Sequence, residues 1–179
     1  MRLFLLLCLI SAPVYGQTCP DLPDRSALKA DLMSAARFAP DAAAGRKAND
    51  ELWKFWTFAP DAKARELLDY GMRRRAEYDF EGAATAFDKL VAYCPKYAEG
   101  YNQRAFVNFL REDFQTALED LEKTLEIEPD HYGALAGLAM TLHQLGRIET
   151  GQSVLRQALR FNSWLPERGM LIKQPGEDI

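Results

Sequence analysis

With 179 residues, 48% of them apolar and 27% charged, the chain is long enough for one domain with a real core and has the composition of an ordinary soluble protein. Its net charge of −4 at pH 7 argues against nucleic acid and against anionic membranes as partners. The one basic cluster, Arg73-Arg74-Arg75, fans out around a helix instead of forming a patch, and reads as a solvated helix edge.

Residues 1–16 have the layout of a secretory signal peptide. Arg2 gives a positive start, Leu3 to Ile10 form a short apolar run, and Val14 and Gly16 stand at the −3 and −1 positions of a cut before Gln17. The run is too short to span a bilayer, and an uncleaved anchor is the rival reading. The expectation is an exported protein with no membrane insertion once the signal is cleaved. The sequence holds no N-x-S/T glycosylation site, which favours a bacterial periplasm over a eukaryotic secretory route. Cleavage removes Cys8 and leaves Cys19 and Cys94. An even count in an oxidising compartment permits one disulfide, with two unpaired thiols as the alternative, and there is no C-x-x-C pair to suggest a redox enzyme.

Residues 17–62 open with an extended lead-in containing Pro20 and Pro23. A first helix is predicted from Ala27 to about Phe38, stopped by Pro40, and a second from about Asp41 to Phe58, ending before Pro60. The second carries Leu52, Trp53, Phe55, Trp56 and Phe58, which cannot share one narrow stripe, so it should be covered on more than one side. The pair reads as a hairpin capping the start of the helical array downstream, with an aromatic recognition surface as the other reading.

From Ala64 the chain repeats with a period of 34 residues, in three segments without a gap: 64–97, 98–131 and 132–165. The fourth position reads Leu67, Tyr101, Leu135; the eighth, Gly71, Ala105, Ala139; the seventeenth, Phe80, Phe114, Ile148. The twentieth reads Ala83, Ala117, Gly151; the twenty-fourth, Phe87, Leu121, Leu155; the thirty-second, Pro95, Pro129, Ser163. A period of this length marks stacked helical hairpins. Each segment should hold two helices, with turns at Glu77–Asp79, Glu112–Asp113 and Gly146–Arg147. Small residues at positions 8 and 20 should face each other across a hairpin, and bulky ones at 4, 17 and 24 should wedge against neighbours. Residues 166–179, with Pro166, Gly169, Pro175 and Gly176, read as a loose tail whose Met170-Leu171-Ile172 cluster folds back over the last repeat. The fold class is all-α: a solenoid of helix-turn-helix repeats with an N-terminal helical capping hairpin.

These columns resemble tetratricopeptide repeats, most closely in the middle segment from Tyr101 through Asp113-Phe114 to Glu128-Pro129. Departures are Leu90 in the first segment and Gly151 and Ser163 in the third. The resemblance implies a concave groove lined by the first helix of each repeat, and a protein or peptide as partner. Its groove positions include Leu68, Met72 and Arg75, then Asn102, Gln103, Phe106 and Phe109, then Met140 and His143. Leu68, Met72, Phe106, Phe109 and Met140 would form an apolar strip, with Asn102 and Gln103 free to bond a peptide backbone. Alternatively, Phe106 and Phe109 pack within the stack or against the hairpin. A subset of the family grips a C-terminal carboxylate with Lys and Asn side chains. Here Leu68, Met72, Gln103, Gly133 and Gly137 stand at those places, so that clamp is absent.

No enzyme chemistry is legible. His131 and His143 lie without metal-ligand spacing, His143 reads as a polar lining residue, and no phosphate loop, nucleophile elbow or paired-acid constellation occurs. The expectation is a binding scaffold without catalysis, metal or cofactor. The alternative is an oligomerising module whose incompletely capped third repeat stacks on another copy.

Overall fold

Between the Gly, Pro and Asp punctuation the chain is rich in helix formers, and the helices form where that pattern allows. The computed structural model describes residues 18–172. Among them are α1 (Ser26–Arg37), α2 (Ala42–Trp56), α3 (Ala62–Ala76), α4 (Phe80–Tyr93), α5 (Ala98–Leu110), α6 (Phe114–Ile127), α7 (Tyr132–Gln144) and α8 (Ile148–Phe161). A 3-10 helix follows at Pro166–Met170, and no strand occurs among the described residues. The expected signal segment 1–16 and tail residues 173–179 lie outside the described residues.

Helix starts are set by side chains that satisfy otherwise unbonded N–H groups. Asp41 accepts from Ala44 N at 2.8 Å, Asp61 from Ala64 N at 2.8 Å, Asp79 from Gly82 N at 2.9 Å and Asp113 from Thr116 N at 3.3 Å. The fifteenth position of every repeat turns through the left-handed region: Tyr78 at φ 61°, Glu112 at 62° and Gly146 at 73°. Only the third repeat uses the residue that adopts this conformation without strain.

The hairpins α3–α4, α5–α6 and α7–α8 stack in order. In the third, the position-20 glycine approaches position 8 as expected: a Cβ on Gly151 would lie 3.0 Å from the Ala139 carbonyl oxygen. The first differs. A Cβ on Gly71 would stand 2.5 Å from the Phe87 ring, so here position 8 receives position 24.

The N-terminal hairpin departs most from expectation. It does not cap the outer face of the first repeat; α2 runs across the concave face to the third. At its start, the Trp164 indole N–H donates to Ala39 O at 2.9 Å, and Asn162 Nδ2 donates to Gly45 O at 3.5 Å. Gly45 is required there, since a Cβ would meet Trp164 at 2.5 Å. At its end, the Tyr97 hydroxyl donates to Trp56 O at 3.0 Å, and Trp56 stacks on His131 with centroids 3.8 Å apart. A 15-residue helix spans about 22 Å, enough to bridge these two points. Between them Leu52 and Trp56 share one core with Tyr132, Leu135, Ala136, Ala158 and Leu165. The crossing satisfies an aromatic helix that needed cover on several sides.

α1 and α2 pack against the last repeat, and α8 exposes no large apolar residue. The segment after α8 is also docked through residue 172, not loose: Gln152 donates to Met170 O at 2.9 Å and accepts from Ile172 N at 2.7 Å.

A disulfide joins Cys19 to Cys94, with Cα atoms 5.2 Å apart. Because residue 61 leads directly into α3, the hairpin is tethered to the first repeat at both ends.

Candidate functional site

The first helices of the repeats, α3, α5 and α7, line the concave face, and α2 divides that face in two. Under α2 lie the starts of α5 and α7, and there the polar side chains are consumed internally. Glu99, 2% exposed, accepts from Asn102 Nδ2 at 3.1 Å, from Gln103 Nε2, and from His131 Nε2 at 3.0 Å. His131 Nδ1 accepts from Ala134 N at 3.1 Å, capping α7, so the ring proton sits on Nε2 and is donated to Glu99. Burial pushes the Tyr97 phenol up, aided by the Glu99 charge, and pushes that of Tyr132 up to about 12.

This arrangement corrects two of the sequence-derived groove residues, Leu68 and His143, and ties two others, Asn102 and Gln103, to internal partners. Leu68 is fully buried, packed with Ala59, Phe87, Tyr97 and Val107, because the 57–61 linker and the α4–α5 turn close over it. Asn102 and Gln103 line the groove, but each spends one amide N–H on Glu99, and the Gln103 carbonyl accepts from Arg75. His143 is exposed at the end of α7, outside the groove, because α7 extends past the point where the concave face ends.

The other half stays open as a groove of about 520 Å³. Met72, Phe106, Phe109 and Met140 line it from the repeats, and Trp53 of α2 forms the opposite wall. Phe106 is 43% exposed and is thus wall, not core. Phe109 is half-buried and rests edge-on against Phe114 at 5.4 Å, so it serves both groove and stack. Leu110, one turn beyond Phe106, extends the apolar strip outward.

One groove residue escaped the sequence reading: Trp53 belongs to no repeat, so no column marks it. Arg75 carried two readings, a solvated helix edge with Arg73 and Arg74 and a groove position, and it lines the groove. Its guanidinium donates to Gln103 Oε1 and lies over the Phe106 ring at 4.7 Å. Desolvation holds its pKa down, opposed by the Glu99 charge. Position 12 of the repeat was the available signal.

The geometry defines a class: a solenoid of stacked helical hairpins with a lined concave face. Residues 109–163 match the family model for the tetratricopeptide repeat. A TPR repeat-containing protein of Rhizobium etli is 33% identical over 91 residues, which are 51% of this chain and 45% of that protein. The chain spans less than half the length of the curated relatives it matches. Among solved structures, the TPR2B domain of yeast Sti1, in a complex with pHsp70, superposes with a TM-score of 0.57 at 20% identity, covering 62% of this chain and 90% of that one. The second TPR domain of human RPAP3, in complex with an Hsp70 peptide, gives 0.58 at 16% identity over 60% and 90%. Residues 109–163 thus match the tetratricopeptide repeat, and the helical array shares the fold of those solved domains.

Proposed function

We propose that this chain is an exported scaffold that binds a partner protein, without catalysing a reaction, through the open half of its concave face. The observation that carries the reading is the strip of Met72, Phe106, Phe109 and Met140, left uncovered although α2 lies beside it. Flat phenylalanines and adaptable methionines suit an apolar segment of another protein. Solved relatives of the same fold hold peptides, as the complexes with pHsp70 and with the Hsp70 peptide do. The occupant here differs in chemistry from a segment held by a cationic clamp, because the corresponding positions carry Leu68, Met72, Gln103, Gly133 and Gly137. Export, to a periplasm in the first instance, is supported by the layout of residues 1–16. The Cys19–Cys94 bond, of a kind that persists in oxidising compartments, agrees with it.

A photo-crosslinker placed at Met140 should trap a defined envelope protein in the native compartment. Phe106→Asp should abolish that capture while shifting Tm by less than about 2 °C, as expected for a surface change. Capture that survives Phe106→Asp, or a large drop in Tm, would sink the groove assignment. Fractionation of the native host checks export, and recovery of the chain in the cytoplasm with residues 1–16 attached overturns it.

A further inference from the structure

Arg75 lines the groove with most of its donors unspent. A guanidinium carries five N–H donors, and Arg75 spends one on Gln103. It makes no ion pair among the described residues, although it is half-buried in an apolar groove. Arg74 and Arg104 illustrate the contrast: Arg74 is matched by Asp79 and Glu77, and Arg104 by Asp120 and Asp88. Its position is also fixed from behind. His131 holds Glu99, Glu99 holds the Gln103 amide, the Gln103 carbonyl holds Arg75, and the Phe106 face supports the guanidinium plane.

The geometry points to an acidic side chain of the partner as the group that Arg75 receives, so that the groove selects an apolar segment carrying an internal Glu or Asp. This rests on the reading of the groove as the partner site. A planar fork with its remaining donors free matches a carboxylate bidentately. Glu99 stands behind Gln103, and Glu167 lines the groove from the far end of the stack, so the local balance accommodates one negative charge and disfavours the two of a phosphate. Glu167 also repels an acid at the far end. Of the two cations that line the groove, Lys54 is exposed, water-screened and paired with Glu51 at 2.8 Å, whereas Arg75 is half-buried with donors to spare, which makes Arg75 the more favourable place. A side chain fits better than a chain terminus because apolar surface continues on both sides of Arg75. Leu110 lies one turn beyond Phe106, and Met72 and Met140 lie inward. A segment passing through therefore meets the guanidinium midway.

The probe is a randomised twelve-residue peptide library displayed as fusions without a free C-terminus and selected on the full chain. Enriched peptides should share one Glu or Asp flanked by Leu, Met or Phe. Resynthesised with an amidated C-terminus and followed by fluorescence anisotropy, a selected peptide should bind Arg75→Gln at least tenfold more weakly. The peptide's own Glu→Gln change should cost the same, and the two together no more than either alone. The peptide-side change uses the unaltered protein, so the inference stays testable if Arg75→Gln folds poorly. Acid-free peptides that Phe106→Asp releases, or less than a twofold effect of the Glu→Gln change, overturn the inference and leave the groove standing. Tighter binding of the free-acid form than of the amide reassigns the carboxylate to a chain terminus and overturns the side-chain source. Failure to select any peptide that Phe106→Asp releases overturns the groove reading itself.

Discussion

The two halves of the concave face are built largely from the same helices, the covered half from their starts and the open half from their later turns, and they differ in what covers them. Under α2 and the 57–61 linker that follows it, Glu99, His131 and Leu68 are almost wholly out of water, each packed or hydrogen-bonded. Beyond α2, Met72, Arg75, Phe106 and Met140 keep contact with solvent. Repeat position alone therefore does not make a residue a binding residue. The covered half is a domain core that happens to be drawn from groove positions, and the open half is the surface left over.

The strongest way to break the contrast is to release the cover. Reducing the Cys19–Cys94 bond frees the N-terminal tether, and on the chain-entropy model its loss should cost about 4.5 kcal/mol. Urea titration of the oxidised and reduced forms measures this; equal midpoints would mean that the tether does not restrain the hairpin. Next in size is Trp56→Ala, which removes the ring stacked on His131 and should cost about 4 kcal/mol. Phe106→Ala, at a matching aromatic in the open half, should cost under about 1 kcal/mol. Similar losses for the two would erase the distinction between halves.

A pH titration sharpens the comparison at the boundary, where the 57–61 linker enters α3. The Asp61 carboxylate is held below the usual carboxylate range, first by the Ala64 N–H and then by the Tyr93 hydroxyl at 2.6 Å. Its stabilising contribution is complete above the ordinary value near pH 4 and is lost as pH falls through the lowered one. Asp61→Asn, which keeps an acceptor but does not titrate, should flatten the acid limb of the stability profile, and an unchanged limb would show the linker contact to be inert. The smallest expected change is Glu112→Gly at a left-handed turn, a gain of up to about 1 kcal/mol read as a raised Tm. A loss there would show that Glu112 makes a contact worth more than its backbone strain.

The repeating part of this fold was legible because periodicity records local geometry. Positions 8, 17, 20 and 32 recur, and helices and turns fall where those columns place them. The crossing of α2 was not legible, because the contacts that fix it occur once: Ala39 with Trp164, Gly45 with Asn162, Trp56 with His131. The spread of aromatic residues around α2 did show that it needed more than one neighbour, but not which ones. The same gap explains the groove. Met72, Phe106, Phe109 and Met140 could be read from their columns, whereas the burial of Leu68 depends on what lies above it.

That crossing also changes what kind of object the repeats make. In an open array each unit feels only its neighbours, so stability adds along a line and unfolding can begin at either end. Here residues 39 and 164, separated by 125 positions, share a hydrogen bond, and the first hairpin leans on the last. The line is closed into a ring, which removes the frayed ends and couples the outermost repeats to each other. Such a chain should lose its structure as one unit, and slow long-range closure, not local helix formation, should limit how fast it is regained.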